Sequence, residues 1–108
     1  MRKLHHPLPE EIEISNVLYA LGDPIRLKIV QALAALSDQG APHRSCKKVC
    51  EELTLSKSTL SRHFRILREA GLIECEKEGT QYINTLRLKA LQKRFPGLLK
   101  CILKAYQK

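Results

Sequence analysis

The chain has 108 residues, 44% of them hydrophobic, which suits one small domain with its own core. Nineteen Lys and Arg against 11 Asp and Glu leave a formal charge of +8, so an anionic partner is favoured, nucleic acid ahead of a membrane surface. No apolar run approaches the ~18 residues that span a bilayer, and the absence of Trp, with two Phe and three Tyr, argues against a stacking platform for single-stranded bases.

The N-terminal stretch starts basic but has no apolar segment behind it, so an export signal is not expected and the chain is placed in the cytoplasm. In that reducing compartment Cys46, Cys50, Cys75 and Cys101 are expected as free thiols, metal ligands or a redox pair before structural disulfides.

In chain order, His5, His6, Pro7 and Pro9 disfavour helix, so residues 1–9 are expected to form a flexible arm ahead of a single domain over 10–108. Ile14, Val17, Leu18 and Leu21 fall at i, i+3, i+4 and i+7 and predict a helix over about Glu10–Leu21, stopped by Gly22. Asp23-Pro24 restarts a helix, since Asp caps orphan amides and proline loses no hydrogen bond at the first position. Ile25, Ile29, Leu33 and Leu36 mark that second stripe until Gly40-Ala41-Pro42. A short third helix is expected from Ser45 to Leu53, burying Val49 and Leu53, with Thr54-Leu55-Ser56 as a tight connector.

In the fourth helix Ser56 is the expected N-cap, Leu60, Phe64 and Leu67 recur at i, i+4 and i+7, and Gly71 ends the run. At ~100° per residue, Ser58, Ser61, Arg62 and Arg65 gather on the opposite side. Two strands follow, Leu72–Lys77 and Thr80–Leu86, joined at Glu78-Gly79. A last helical stripe, from Leu88 through Phe95, Leu98, Leu99 and Ile102 to Tyr106, should break at Pro96-Gly97, because proline disfavours helix at the residue before it.

This order, α-α-α-α-β-β-α, is mainly helical with a small β-hairpin and predicts a winged helix-turn-helix, whose second motif helix enters the major groove beside the wing. The segments ALGDPIRLKIVQAL (Ala20–Leu33) and LSKSTLSRHFRILREAGLIECEKEG (Leu55–Gly79), with the following TQYINTL, resemble the ArsR/SmtB family of bacterial transcriptional repressors. The likeness covers about Val17–Leu88 and is most specific over Ser58–Gly71. It implies a homodimer, paired through its first and last helices, that holds a double-stranded DNA operator and releases it to an inducer.

The residues point to DNA independently. Arg62 and Arg65 are long enough to reach base edges, where a guanidinium can pair with both guanine acceptors, and Ser58 and Ser61, with Thr59 beside them, let the helix come close. Lys57 and the amides at the helix start favour a phosphate. Lys77, Thr80 and Gln81 are the wing candidates, and Arg44, Lys47 and Lys48 are placed on phosphates at the third helix. His63, on the flank between the polar and apolar faces, is expected to serve packing or capping more than base contact. For the dimer interface the expectation is Phe95, Leu98, Leu99, Ile102 and Tyr106 facing Val17 and Leu18, with a two-fold axis setting the reading helices ~34 Å apart on an inverted repeat.

Sensing is open to three readings. Metal-sensing members of the family carry Cys-x-Cys in the third helix or acidic and His ligands on the last one, and this chain departs from both. Cys46 and Cys50 can supply half of a tetrahedral zinc site, completed by His43, His5, His6 or a second subunit. Alternatively they form a thiol switch: i and i+4 Cβ atoms stand ~5–6 Å apart on a helix, a disulfide prefers ~3.5–4.5 Å, and oxidation would distort the helix beneath the reading head. The third reading gives them no role. Cys75 shares strand parity with Ile73 and is expected in the core, and Cys101 beside the terminal stripe is expected to be structural or incidental. No glycine-rich phosphate loop, His-Glu-x-x-His string or nucleophile elbow occurs, so an enzyme is not expected. A winged-helix module for protein–protein assembly is the alternative function.

Overall fold

The computed structural model describes residues 2–3, 6–38, 44–45 and 53–107, with the side chains of 2–3, 36–38, 44–45, 78, 81–82 and 107 excepted. The helices are α1 (Ile14–Leu21), α2 (Pro24–Asp38), α3 (Lys57–Ala70), α4 (Leu88–Arg94) and α5 (Leu98–Gln107), and the strands are β1 (Arg2–Lys3), β2 (Arg44–Ser45), β3 (Ile73–Glu78) and β4 (Gln81–Leu86). The mainly helical winged helix-turn-helix expected from the sequence is the fold observed.

The first helix begins later than its periodicity predicts. Pro9–Glu11 form a 3-10 turn, closed by the Leu8 N–H donating to Glu11 Oε1 at 2.8 Å, and the chain then extends through Ile12 and Glu13. That extension carries Ile12 into the core, where it is 1% exposed. Asp23 caps α2 as expected: its Oδ2 accepts from the N–H groups of Ile25 and Arg26 at 2.9 and 3.0 Å. Ile29, Val30 and Leu33 of α2 are buried against Val17, Ala20 and Leu21 of α1 and Leu60, Phe64 and Leu67 of α3. Leu36 of the predicted stripe lies beyond the described side chains.

The wing is β3 and β4 in antiparallel register, from Ile73 opposite Leu86 to Glu78 opposite Gln81, turning through Gly79 and Thr80. The sheet is wider than the predicted hairpin: its order is β1-β3-β4-β2. Two expectations change as a result. Within the expected arm, Arg2, Lys3 and His6 are held on the sheet and not free: Arg2 pairs opposite Lys77 and Lys3 opposite Glu76, and His6 Nε2 accepts the Cys75 N–H at 2.8 Å. Ser45 does not start a helix, since Arg44 and Ser45 pair with Asn84 and Ile83 of β4. Both long strands have backbone groups to satisfy on their outer edges, and these two-residue segments pair with part of each edge. The rest of the predicted third helix, 46–52, and the Gly40-Ala41-Pro42 turn lie outside the described residues, whereas Leu53 is buried.

The Cys75 amide points to His6, away from β4, so Cys75 and Asn84 face each other as a non-hydrogen-bonded pair, the closer of the two antiparallel pairings. Both are buried, Cys75 as expected, and burial pushes its thiol pKa up against the opposing pull of Arg68. Asn84 is 1% exposed, and among the described residues neither side-chain amide atom has a hydrogen-bond partner. The last stripe breaks at Phe95–Gly97, with Gly97 at φ +80°, giving α4 and α5 in place of one rod.

Candidate nucleic-acid interface

The reading helix is α3, and its start is built by hydroxyls. Ser56 Oγ accepts the Thr59 N–H at 3.2 Å and donates to Thr59 Oγ1 at 2.8 Å. Thr59, expected on DNA, therefore holds the cap with its hydroxyl. The end is fixed by Gly71 at φ +91°, a left-handed cap whose N–H returns to Arg68 O at 3.0 Å. A Cβ there would lie 2.6 Å from Ile12 Cγ1, so the glycine also makes room for Ile12. The angle at which α3 passes into β3 is thus set by one backbone conformation and one buried side chain.

Between those ends the helix is divided as the periodicity predicts. Leu60, Phe64, Leu67 and Ala70 are buried, while Lys57, Ser58, Ser61, Arg62 and Arg65 are exposed. Arg62 and Arg65 make no ion pair or side-chain hydrogen bond with the described residues, leaving both guanidinium groups available to an external acceptor. On the wing Lys77 and Thr80 are exposed, Thr80 at the turn beside Gly79, and Gln81 opens β4. Arg44 belongs to the sheet, opposite Asn84, and not to a helix; Lys47, Lys48, Cys46 and Cys50 lie outside the described residues.

One residue that positions this surface was not read from the sequence. Arg26, 7% exposed, donates from Nε to Ala20 O at 2.6 Å and from Nη2 to Tyr19 O at 3.4 Å, so it caps the carbonyl end of α1. Its Nη1 donates to His63 Nδ1 at 3.1 Å, tying α1 and α2 to the inner flank of α3. His63 is therefore a packing and hydrogen-bonding residue, as expected. Burial raises the Asp23 pKa, but the Arg26 amide, the Arg26 charge and the Ile25 amide outweigh it, so the carboxyl is held below its ordinary value. The signal available in the sequence was the DPIR string itself: an arginine one turn after a capping aspartate, at the start of a helix.

The predicted dimer face is only partly free. Val17 and Leu99 are 1% and 8% exposed and belong to the core of their own chain. Ile14 and Leu18, one turn apart on α1, are 47% and 48% exposed, and Tyr106 of α5 is 38% exposed. Phe95, Leu98 and Ile102 are half-buried against the core. Among the described residues, no group of three His, Cys, Asp or Glu could hold a metal.

Residues 21–76 match the helix-turn-helix domain family. The HTH-type transcriptional regulator YceK of Bacillus subtilis is 35% identical over 89 residues, which are 82% of this chain and 84% of that protein. Among solved structures, HlyU from Vibrio cholerae superposes with a TM-score of 0.68 at 24% identity over 87% of this chain and 91% of its own. The transcriptional repressor BigR from Xylella fastidiosa does so with a TM-score of 0.58 at 26% identity, over 76% and 85%. No described helix is long and apolar enough to cross a membrane. With an exposed basic reading helix, a wing beside it and this kinship, the chain belongs to the helix-turn-helix transcriptional regulators, a family of DNA-binding proteins and not of enzymes.

Proposed function

We propose that the protein is a homodimeric repressor working in the cytoplasm, which holds an inverted-repeat operator through α3 and the wing and releases it to an inducer. The observation that carries this reading is the division of α3: a buried apolar face opposite exposed Ser58, Ser61, Arg62 and Arg65, with both arginines unpaired among the described residues. Short hydroxyl side chains permit close approach, and a guanidinium matches the two acceptors of guanine. Lys57 at the helix start, with Lys77, Thr80 and Gln81 on the wing, then takes the backbone. Arg44, Lys47 and Lys48 are assigned to further phosphates on their charge alone.

Exposed Ile14 and Leu18 on α1 support pairing of two copies, with Tyr106, Ile102, Leu98 and Phe95 of the last helical region supplying the opposing surface. Cys46 and Cys50 are the proposed sensing pair, either by binding zinc or another thiophilic metal through two thiolates one helical turn apart, or by oxidation to a disulfide whose shorter Cβ separation would distort a helix at that spacing. Cys46→Ser and Cys50→Ser proteins that respond unchanged to oxidant and metal would remove this part of the proposal.

The test is fluorescence anisotropy on the duplex upstream of the protein's own gene and on a scrambled duplex, across a salt series. Specific binding with a log–log salt slope of about −0.9 per phosphate neutralised is expected. Arg62→Ala should cost ~1–3 kcal/mol on the operator and little on the scrambled duplex. Equal weak binding to both duplexes would overturn the operator reading in favour of a protein-assembly module.

A further inference from the structure

On the side of α5 away from the proposed dimer face, α2, α4 and α5 enclose a groove of about 800 Å³, within the size range of small-molecule sites. Its apolar lining includes Ala34 and Ala35 of α2, Leu91 of α4, and Leu99 and Leu103 of α5. Lys89, Lys93, Lys100 and Lys104 also line it, all four exposed, and among the described residues no acidic one does. At ~100° per residue, Lys100 and Lys104 fall on one flank of the buried Leu99 and Leu103, and Leu98 and Ile102 on the other. The groove and the dimer face are therefore different sides of one helix.

Among the described residues nothing offsets the charge on this rim. Lys89 and Lys93 stand i, i+4 on α4, and Lys100 and Lys104 do so on α5, a spacing at which like charges oppose each other. Lys100 also sits in the first turn of α5, at the positive end of the helix dipole. None of the four has an ion-pair partner among the described residues. A nucleic-acid backbone would neutralise these lysines and leave the leucine and alanine floor open to water. An anion with an apolar tail answers both needs.

We propose that this groove binds an amphipathic organic anion, its alkyl or aryl chain along Leu91, Leu99 and Leu103 and its carboxylate or sulfonate on the lysine rim. The probe is dodecanoate, titrated calorimetrically into the full chain below its micelle concentration and competed against the fluorescence of anilinonaphthalenesulfonate. Saturable binding of one dodecanoate per chain is expected, and dodecanol, which lacks the charge, should bind at least tenfold more weakly. Lys104→Gln should weaken dodecanoate at least fivefold. Thr54→Asp, exposed, outside the groove and equal in its change of net charge, should leave binding unchanged. Ala35→Trp, at an exposed helical position, should block the groove while the circular dichroism spectrum and the Tm are retained.

Non-saturable uptake, equal loss in Thr54→Asp, or dodecanol binding as tightly as dodecanoate would overturn the proposal. So would dissociation of a dimer by Ala35→Trp in sedimentation, since the groove would then belong to a second copy. The binding is measured without DNA, so its outcome stands apart from that of the operator experiment.

Discussion

Gly71→Ala tests whether the passage from reading helix to wing is held as described. At φ +91° an L side chain meets its own backbone, a cost of roughly 1–2 kcal/mol. The added Cβ would lie 2.6 Å from Ile12 Cγ1 and 2.9 Å from Ile12 Cδ1, about 1 Å inside an ordinary carbon contact of ~3.5–4.0 Å. Ile12 is 1% exposed and has no free space to retreat into, so overpacking adds about 1–3 kcal/mol. The sum is about 2–5 kcal/mol, and at ~4–8 °C per kcal/mol for a domain near this size the Tm should fall by at least about 8 °C. Gly79→Ala supplies the internal control: its φ is +63°, but nothing lies within 4 Å of the added Cβ, so only the backbone part, about 1–2 kcal/mol, applies. Thermal and urea unfolding of both variants, followed by circular dichroism, measure the difference. If Gly71→Ala loses no more than Gly79→Ala, Ile12 is not seated on Gly71 and the account of the helix–wing angle fails.

Three further outcomes follow from other parts of the molecule. Leu18→Asp should shift the protein to monomer in sedimentation at unchanged secondary structure, whereas Val17→Ala should lower stability by about 0.5–2 kcal/mol without a selective effect on association, because Val17 is core. Asp23 has a folded pKa below its ordinary 3.8, so the stability it contributes is present above that value and lost as pH falls through the depressed folded pKa. Urea midpoints between pH 5 and 2 should therefore decline less steeply in Asp23→Asn than in the wild type; identical slopes would refute the assignment. Asn84→Leu should be neutral or stabilising, by up to about 1 kcal/mol, because it removes a buried amide with no partner and strands no other group, and a clear fall in Tm would show that Asn84 is satisfied in solution.

The parts of the fold that were legible in the sequence are those with local causes. Ser56 and Gly71 delimit α3 by capping chemistry, Leu60, Phe64 and Leu67 fix which face is buried, and Pro96 divides the last stripe. What was not legible depends on partners distant in the chain. A two-residue strand has no periodicity, so nothing local marks Arg2–Lys3 or Arg44–Ser45 as sheet; the free edges of β3 and β4 decide it. Val17 and Leu18 both belong to the apolar stripe of α1, and only the position of α3 and the core shows which of them is covered. Arg26 stands in the DPIR string, but its role needs the carbonyls of Ala20 and Tyr19 and the ring of His63 in one place.

The order β1-β3-β4-β2 places the two six-residue strands inside and a two-residue strand at each border. An open strand of six residues is a template on which another chain can add, the route to domain exchange and fibrous stacking, whereas a border of two residues offers too short a ladder to hold a stranger. The wing can therefore stand out from the body of the protein, as contact with a duplex requires, without becoming adhesive towards its own copies in a crowded cell. Loss of the first few residues would be felt less in the affinity of the reading helix than in the colloidal behaviour of the concentrated protein.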